Sequence, residues 1–339
     1  MIISSQGEAC GPNDDIKALD LNGTNDLRDR LRKIQANSSS GEAALLAGAE
    51  IELEQEKQAR QVSAEQEKLD KIEEARQALQ DFRNYLSQRS PRNFESLPRE
   101  EELEYSYNPD TLECEITRQD GQDIVLALTE SNLRGELPLP PQLMVTKLYC
   151  TNNHLTSLPK LPDSLTVLYC SGNQLRTLPE LPPSLTELAC TSNQLTTLPE
   201  LPASLTELDC DSNQLITIPL LPDGLTFLSC SRNKLTNLPV LPASLTVLYC
   251  SYNELTTLPE LPANLTYLSC VFNQLATLPE LPTSLTKLYC AHNQLITLPE
   301  LPISLITLEY ASKDNLDSDP ATRAAIQAMI DRGGSVSSL

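Results

Sequence analysis

Tryptophan is absent from the 339 residues, aromatic residues make up only 4% of them, and histidine occurs twice. Any core must therefore be aliphatic rather than built on large rings. The two histidines, His154 and His292, lie far apart in sequence, so no Ser-His-Asp set can be assembled. No glycine-rich phosphate loop and no His/Cys metal spacing occurs either. Glycine is scarce (11) against proline (25). No apolar run approaches the ~20 residues needed to cross a bilayer. Residues 1–15 show neither the cationic start nor the apolar stretch of a Sec signal peptide. Positive charge is also short: the formal net charge is −21. Residues 1–140 carry 29 acids and 16 bases, and residues 141–310 carry 13 and 6. With no basic segment, a nucleic-acid partner is disfavoured, and so is a membrane partner; an acidic surface suits basic protein partners.

What is present is a period. Cysteine recurs at 150, 170, 190, 210, 230, 250, 270 and 290, with asparagine three residues after each one. The unit is SLTxLxCxxNQLTxLPELPx, with leucines at fixed offsets. A strict short period of this kind marks a leucine-rich-repeat solenoid. In the turn 165–184, Leu165, Leu168, Cys170, Leu175 and Leu178 are expected to point inward. A short strand over Thr166–Ser171 should join a parallel sheet on the concave side, with Val167, Tyr169 and Ser171 facing out. Asn173 should turn inward and satisfy backbone groups of adjacent turns. The run Leu178-Pro179-Glu180-Leu181-Pro182 cannot be α-helical and fits polyproline-like chain on the convex side.

Equivalent cysteines in such a sheet sit about 4.8 Å apart and point the same way. A disulfide needs Cβ atoms about 3.8 Å apart and facing each other. A zinc site needs four thiolates converging on one point. The ladder is therefore expected to be buried free thiols, with no metal and no cofactor, suited to a reducing compartment. Cys10 and Cys114 stand outside it.

The expected fold class is an α+β solenoid, a leucine-rich-repeat horseshoe with short parallel concave strands and a polyproline-like convex side, preceded by a helical region. Residues 1–24 read as disordered and 25–100 as helical. A short helix is expected over 25–36, then a linker over 37–41, then one or two helices ending before Ser90-Pro91. Ser63 and Gln66 have capping-box spacing, and Leu69, Ile72, Leu79, Phe82 and Leu86 mark one apolar face. Residues 101–140 read as a β-meander cap with an atypical first repeat. Alternating runs at Leu103–Tyr107, Leu112–Ile116 and Ile124–Leu128 supply strands of a meander leading into an atypical first repeat over Leu126–Leu137. Repeats fill 141–310. Residues 311–339 read as a C-terminal capping helix, with Asp319 before Pro320 and Gly333 closing it.

The run LPELPxSLxxL at a twenty-residue period resembles the bacterial LPX-type leucine-rich-repeat effectors, YopM-like proteins and the repeat domains of IpaH-type ubiquitin ligases. The run Leu133–Leu143, LRGELPLPPQL, also resembles the opening of their repeat domain. The likeness covers about residues 124–310. It implies delivery by a type III secretion system from the bacterial cytoplasm into the host cell cytosol, and binding to a host protein there. Cysteine at the inward position departs from the aliphatics usual in that family. The ligases carry a catalytic Cys-x-Asp motif after the repeats. No Cys-x-Asp occurs here, and fewer than forty residues follow the last repeat. Taken as a whole protein, the chain is expected not to be an enzyme. Two alternatives stand beside the effector reading: a ligase relative lacking its C-terminal catalytic domain, and an intracellular bacterial scaffold. The N-terminal helices have three readings: a cap, a coiled coil, or a segment carrying an export signal and a secretion-chaperone site.

Specificity should reside in the outward concave positions. Two patches emerge there. Glu187, Glu207, Asp209 and Asp211 form an acidic middle, and Phe227, Tyr249, Tyr252, Tyr267, Phe272 and Tyr289 an aromatic C-terminal half. Aromatics are rare in this chain, so their collection on one face points to a partner-binding surface.

Overall fold

A computed structural model describes residues 40–89, 97–108, 113–310 and 319–338. The chain divides into two compact units, Met1–Asp70 and Lys71–Leu339. The expected disordered segment 1–24 and short helix 25–36 lie outside the described residues. So does most of the expected linker, although Ser40 and Gly41 are already helical.

One continuous helix, α1 (Ser40–Arg89), replaces the expected one or two. It runs straight through Ser63 and Gln66. Between Glu42 and Arg89 no proline intervenes, and Gly48 is the single glycine, so nothing there stops propagation. Up to Asp70 its described side chains are largely exposed, Leu69 among them at 52%. The apolar stripe begins only with Ile72 and continues through Ala75, Leu79, Phe82 and Leu86, which are buried. That last part of the helix covers the hairpin of β1 (Leu103–Asn108) and β2 (Glu113–Arg118). The Arg76 guanidinium lies 5.0 Å from the centre of the Tyr105 ring, and Arg83 donates to the Pro98 carbonyl.

The third run joins the atypical first repeat expected over Leu126–Leu137 and adds no strand to the hairpin. β3 (Ile124–Ala127) does not pair with β2 but lies parallel to β5 (Val145–Tyr149), with Leu126 opposite Leu148. Leu126 fills the inward leucine position of the repeat, so hydrophobic register binds it to the solenoid rather than to the hairpin.

The solenoid sheet has eleven parallel strands in chain order: β3, β5, seven three-residue strands β7–β13, then β14 (Thr307–Tyr310) and β15 (Ser335–Ser338). The seven begin at Val167, Glu187, Glu207, Phe227, Val247, Tyr267 and Lys287. Each is shorter than the six residues expected; beyond the three, the flanking Thr166 and Cys170 amides still bond adjacent turns, at the Thr146 and Ala189 carbonyls. β4 (Arg134–Glu136) and β6 (His154–Ser157) form a separate parallel pair. The core is three stacked columns of leucine, at the places of Leu165, Leu168 and Leu175, and one of cysteine, all fully buried, with the Leu178 column buried at its edge. Val167, expected outward, is buried as well.

α2 (Pro320–Asp331) closes the far end as the sequence pattern implies. Asp319 accepts from the Thr322 amide at 2.8 Å and Pro320 takes the first helical position. Ile326 and Met329 are buried. The chain then turns at Gly333 (φ +85°) and passes so close to Met329 at Gly334 that a Cβ would fall 2.7 Å from its Cγ. This turn delivers β15, a strand the sequence pattern did not suggest.

Candidate functional site

The geometry of the exposed face follows from one side chain per turn. Asn173 Oδ1 accepts from the Leu155 amide at 2.9 Å, and Asn173 Nδ2 donates to the Cys150 and Cys170 carbonyls at 3.0 Å. The same pattern recurs at Asn193, Asn213, Asn233, Asn253, Asn273 and Asn293. To bring the amide inward within three residues of the cysteine, the chain bends through the left-handed region. Asn152, Ser192, Ser212, Arg232, Tyr252, Phe272 and His292 all have φ of 53–55°, and Gly172 has +66°.

The described cysteines are free and buried. Desolvation pushes the Cys150 and Cys250 thiols up to about 12 and holds Cys170, Cys190, Cys210, Cys230 and Cys270 well above the ordinary range. Cys210 Sγ donates to the Ser229 carbonyl at 3.3 Å. These are inert packing groups rather than nucleophiles.

The aromatic half resolves into two rows. Along the strands, Phe227, Tyr249, Tyr267 and Tyr289 contact one another at centroid separations of 5.9, 4.6 and 5.4 Å. These rings are half-buried. Along the bends runs a second column. The Arg232 guanidinium sits 4.4 Å from the centre of the Tyr252 ring, Tyr252 stacks on Phe272 at 4.6 Å, and Phe272 stacks on His292 at 4.0 Å. Tyr252 and Phe272 are 42% and 41% exposed. Arg232 and His292 were not singled out from sequence. Their signal was the bend position itself, two residues past each cysteine.

That column stands where the backbone least favours it. Left-handed φ costs a residue with a Cβ about 1–2 kcal/mol, least for Asn and none for Gly. The first four bends carry Asn152, Gly172, Ser192 and Ser212, all small. The next four carry large side chains. Ring stacking returns part of that cost, about 0.5–1.5 kcal/mol per pair.

The acidic half is a recess of about 240 Å³ lined by Tyr169, Glu187, Leu188, Ala189, Glu207, Asp209 and Phe227. Its lining holds three carboxylates and no basic side chain. The Tyr169 hydroxyl donates to Glu187 at 2.6 Å, which pushes the phenol up to about 12. Asp211 does not line the recess. Its Oδ1 accepts from the Ser229 hydroxyl at 2.7 Å and from the Ser231 amide, tying its bend to the next turn. Burial raises its carboxyl to about 6, and Asp209 nearby adds to the shift. Three of the four acids therefore share one concavity, while the fourth is committed to the scaffold.

Comparison with known proteins agrees with this architecture. The sequence profile of the Leucine Rich Repeat family matches residues 164–188 and 244–265. The leucine-rich effector protein YopM from Yersinia pestis is 40% identical over 55% of this chain and 55% of that chain, with a TM-score of 0.53. YopM from Yersinia enterocolitica is 32% identical over 54% of each chain, with a TM-score of 0.34. A Shigella effector leucine-rich-repeat domain is 27% identical over 65% of this chain and 82% of that one, with a TM-score of 0.41. The chain spans about half the length of the YopM chains it matches. No curated protein matches it.

Proposed function

We propose that this leucine-rich-repeat protein, similar in its repeats to bacterial effectors, is a non-catalytic module that binds a host protein on its concave face. In this reading it is made in the bacterial cytoplasm and exported to the host cytosol. The 40% identity to YopM supports the effector assignment. The buried free thiols suit a reducing destination.

The observation that carries the binding reading is the Tyr252–Phe272–His292 column. Large rings occupy backbone positions that favour glycine or asparagine, and hold them partly in solvent. Packing alone gives no reason to put them there; an interface anchor does. The neighbouring recess, with Glu187, Glu207 and Asp209, would take a basic side chain of the same partner.

The test is affinity capture from host-cell lysate with the intact chain and with a Tyr249→Ala/Tyr252→Ala/Tyr267→Ala/Phe272→Ala variant of unchanged circular dichroism. A specific partner retained by the parent and lost by the variant is the expected result. Identical partners on both would refute the concave assignment.

A further inference from the structure

The convex side carries its own break in the repeat. The residue after the first proline of each Leu-Pro-x-Leu-Pro run is exposed in every turn. It is lysine at 160 and glutamate at 180, 200, 260, 280 and 300, but Leu220 (in the variant run Ile218-Pro219-Leu220-Leu221-Pro222) and Val240 in two adjacent turns. These two side chains are 83% and 82% exposed. The turns that bear them are tied together: the Ser244 hydroxyl donates to the carbonyls of Asp223 at 2.7 Å and Leu225 at 2.6 Å. Leu220 and Val240 are thus equivalent positions on neighbouring turns.

A lone exposed leucine is ordinary on a protein surface. Here the chain's own repeat shows that glutamate fits this place, and two consecutive turns replace it with branched apolar groups. Relief of repulsion within an acidic column would be met by any neutral polar residue, and does not call for leucine and valine. The replaced pair is bracketed by exposed carboxylates, Glu200 on one side and Glu260 on the other, with Glu180 and Glu280 one turn further out.

We propose that Leu220 and Val240 form a second docking surface, on the convex side, for a protein segment whose paired apolar side chains are bracketed by lysine or arginine. The apolar pair would supply the buried contact. The flanking glutamates would set the orientation of the segment and exclude acidic ones. This surface is separate from the concave site and does not depend on it.

The test is selection of a displayed random-peptide library on the immobilised intact chain, against a Leu220→Glu/Val240→Glu variant. Glutamate already stands at the equivalent place of five turns, so that variant is expected to keep its circular dichroism and melting temperature. Peptides enriched on the parent should carry a basic–apolar–apolar–basic order. A synthetic peptide of that consensus should bind the glutamate variant at least about tenfold more weakly, and bind a Tyr252→Ala/Phe272→Ala variant as it binds the parent. The proposal is overturned if no peptide is enriched over the glutamate variant, if enriched peptides lack the bracketing bases, or if their binding depends on the concave residues. Self-association of the parent that vanishes in the glutamate variant would assign the patch to a second copy instead, and would equally overturn it.

Discussion

The Asn213 side-chain amide donates to the Cys190 carbonyl of the preceding turn at 3.0 Å, and to the Cys210 carbonyl of its own at 3.1 Å. Its oxygen accepts from the Leu195 amide at 3.0 Å. One side chain therefore satisfies buried backbone groups on two turns at once. In a stack where each repeat touches only its neighbours, such a group decides whether an interface forms.

Asn213→Ala leaves the buried Leu195 amide without its acceptor, while the Cys190 and Cys210 carbonyls keep the Asn193 and Asn233 amides; one unpaired buried group costs about 1–3 kcal/mol. A loss of about 1–3 kcal/mol is expected in chemical denaturation. The exposed neighbour Gln214→Ala should stay within about 0.5 kcal/mol of the parent. Equal effects of the two substitutions would remove the amide ladder from its structural role.

The cysteine column predicts chemical silence. A thiol held at about 12 is ionised to roughly one part in ten thousand at pH 8. In a Cys10→Ser background, a disulfide reagent such as DTNB should modify no thiol of the native protein within hours. Nine thiols should then react once denaturant is added. Rapid reaction without unfolding would mean the column is open to solvent.

Asp211 predicts a pH dependence. Its folded value, about 6, lies above the ordinary 3.8, so the folded state holds the proton more tightly than the unfolded chain. The stability this contributes is fully present below about pH 3.8 and is lost as pH rises through about 6. Asp211→Asn keeps an oxygen to accept from Ser229 and Ser231 and removes the charge. It should be more stable than the parent at pH 7.5, by about 1 kcal/mol after allowing for solvent screening. At pH 4.5 the gain should largely disappear. A gain equal at both pH values, read by calorimetry, would show that ionisation is not the cause.

Phe272 predicts a separation of stability from binding. Phe272→Asn gives this bend the residue that Asn152 already supplies at the equivalent place. Relief of left-handed strain offsets the lost stacking on Tyr252 and His292, so stability should change by less than about 1 kcal/mol. The buried Leu268→Ala, by contrast, should cost about 2–5 kcal/mol. Capture of the partner should fall in Phe272→Asn nonetheless. A large stability loss there would make the column a structural device instead of a recognition surface.

Much of this was legible in advance because a repeat prints its geometry many times. The inward leucines, the thiol column, the asparagine bonds and the convex proline runs all follow from one twenty-residue unit, and Asp319-Pro320 declares its helix. The ends were harder. Ile124–Leu128 alternates like a hairpin strand yet opens the atypical first repeat over Leu126–Leu137, and the match of Leu126 to Leu148 fixes its register in the parallel sheet. β15, reading Ser-Val-Ser-Ser, carries almost no pattern of its own and forms because α2 and the Gly333–Gly334 turn bring it beside β14.

The amino-acid order alone determined the solenoid, since periodic burial leaves a chain with few other ways to hide its leucines. It also determined most of the side chains that face out, though not Val167, which is buried. Tertiary structure decided how those side chains group. Phe272 meets His292, and Tyr249 meets Tyr267, only because adjacent turns stack in register; the aromatic set then divides into a half-buried strand row and an exposed bend column. The same stacking turned Asp211 onto Ser229 and left Glu187, Glu207 and Asp209 around a common recess. Contacts twenty residues apart depend on the offset between turns, and that offset is a property of the packed stack rather than of any one repeat.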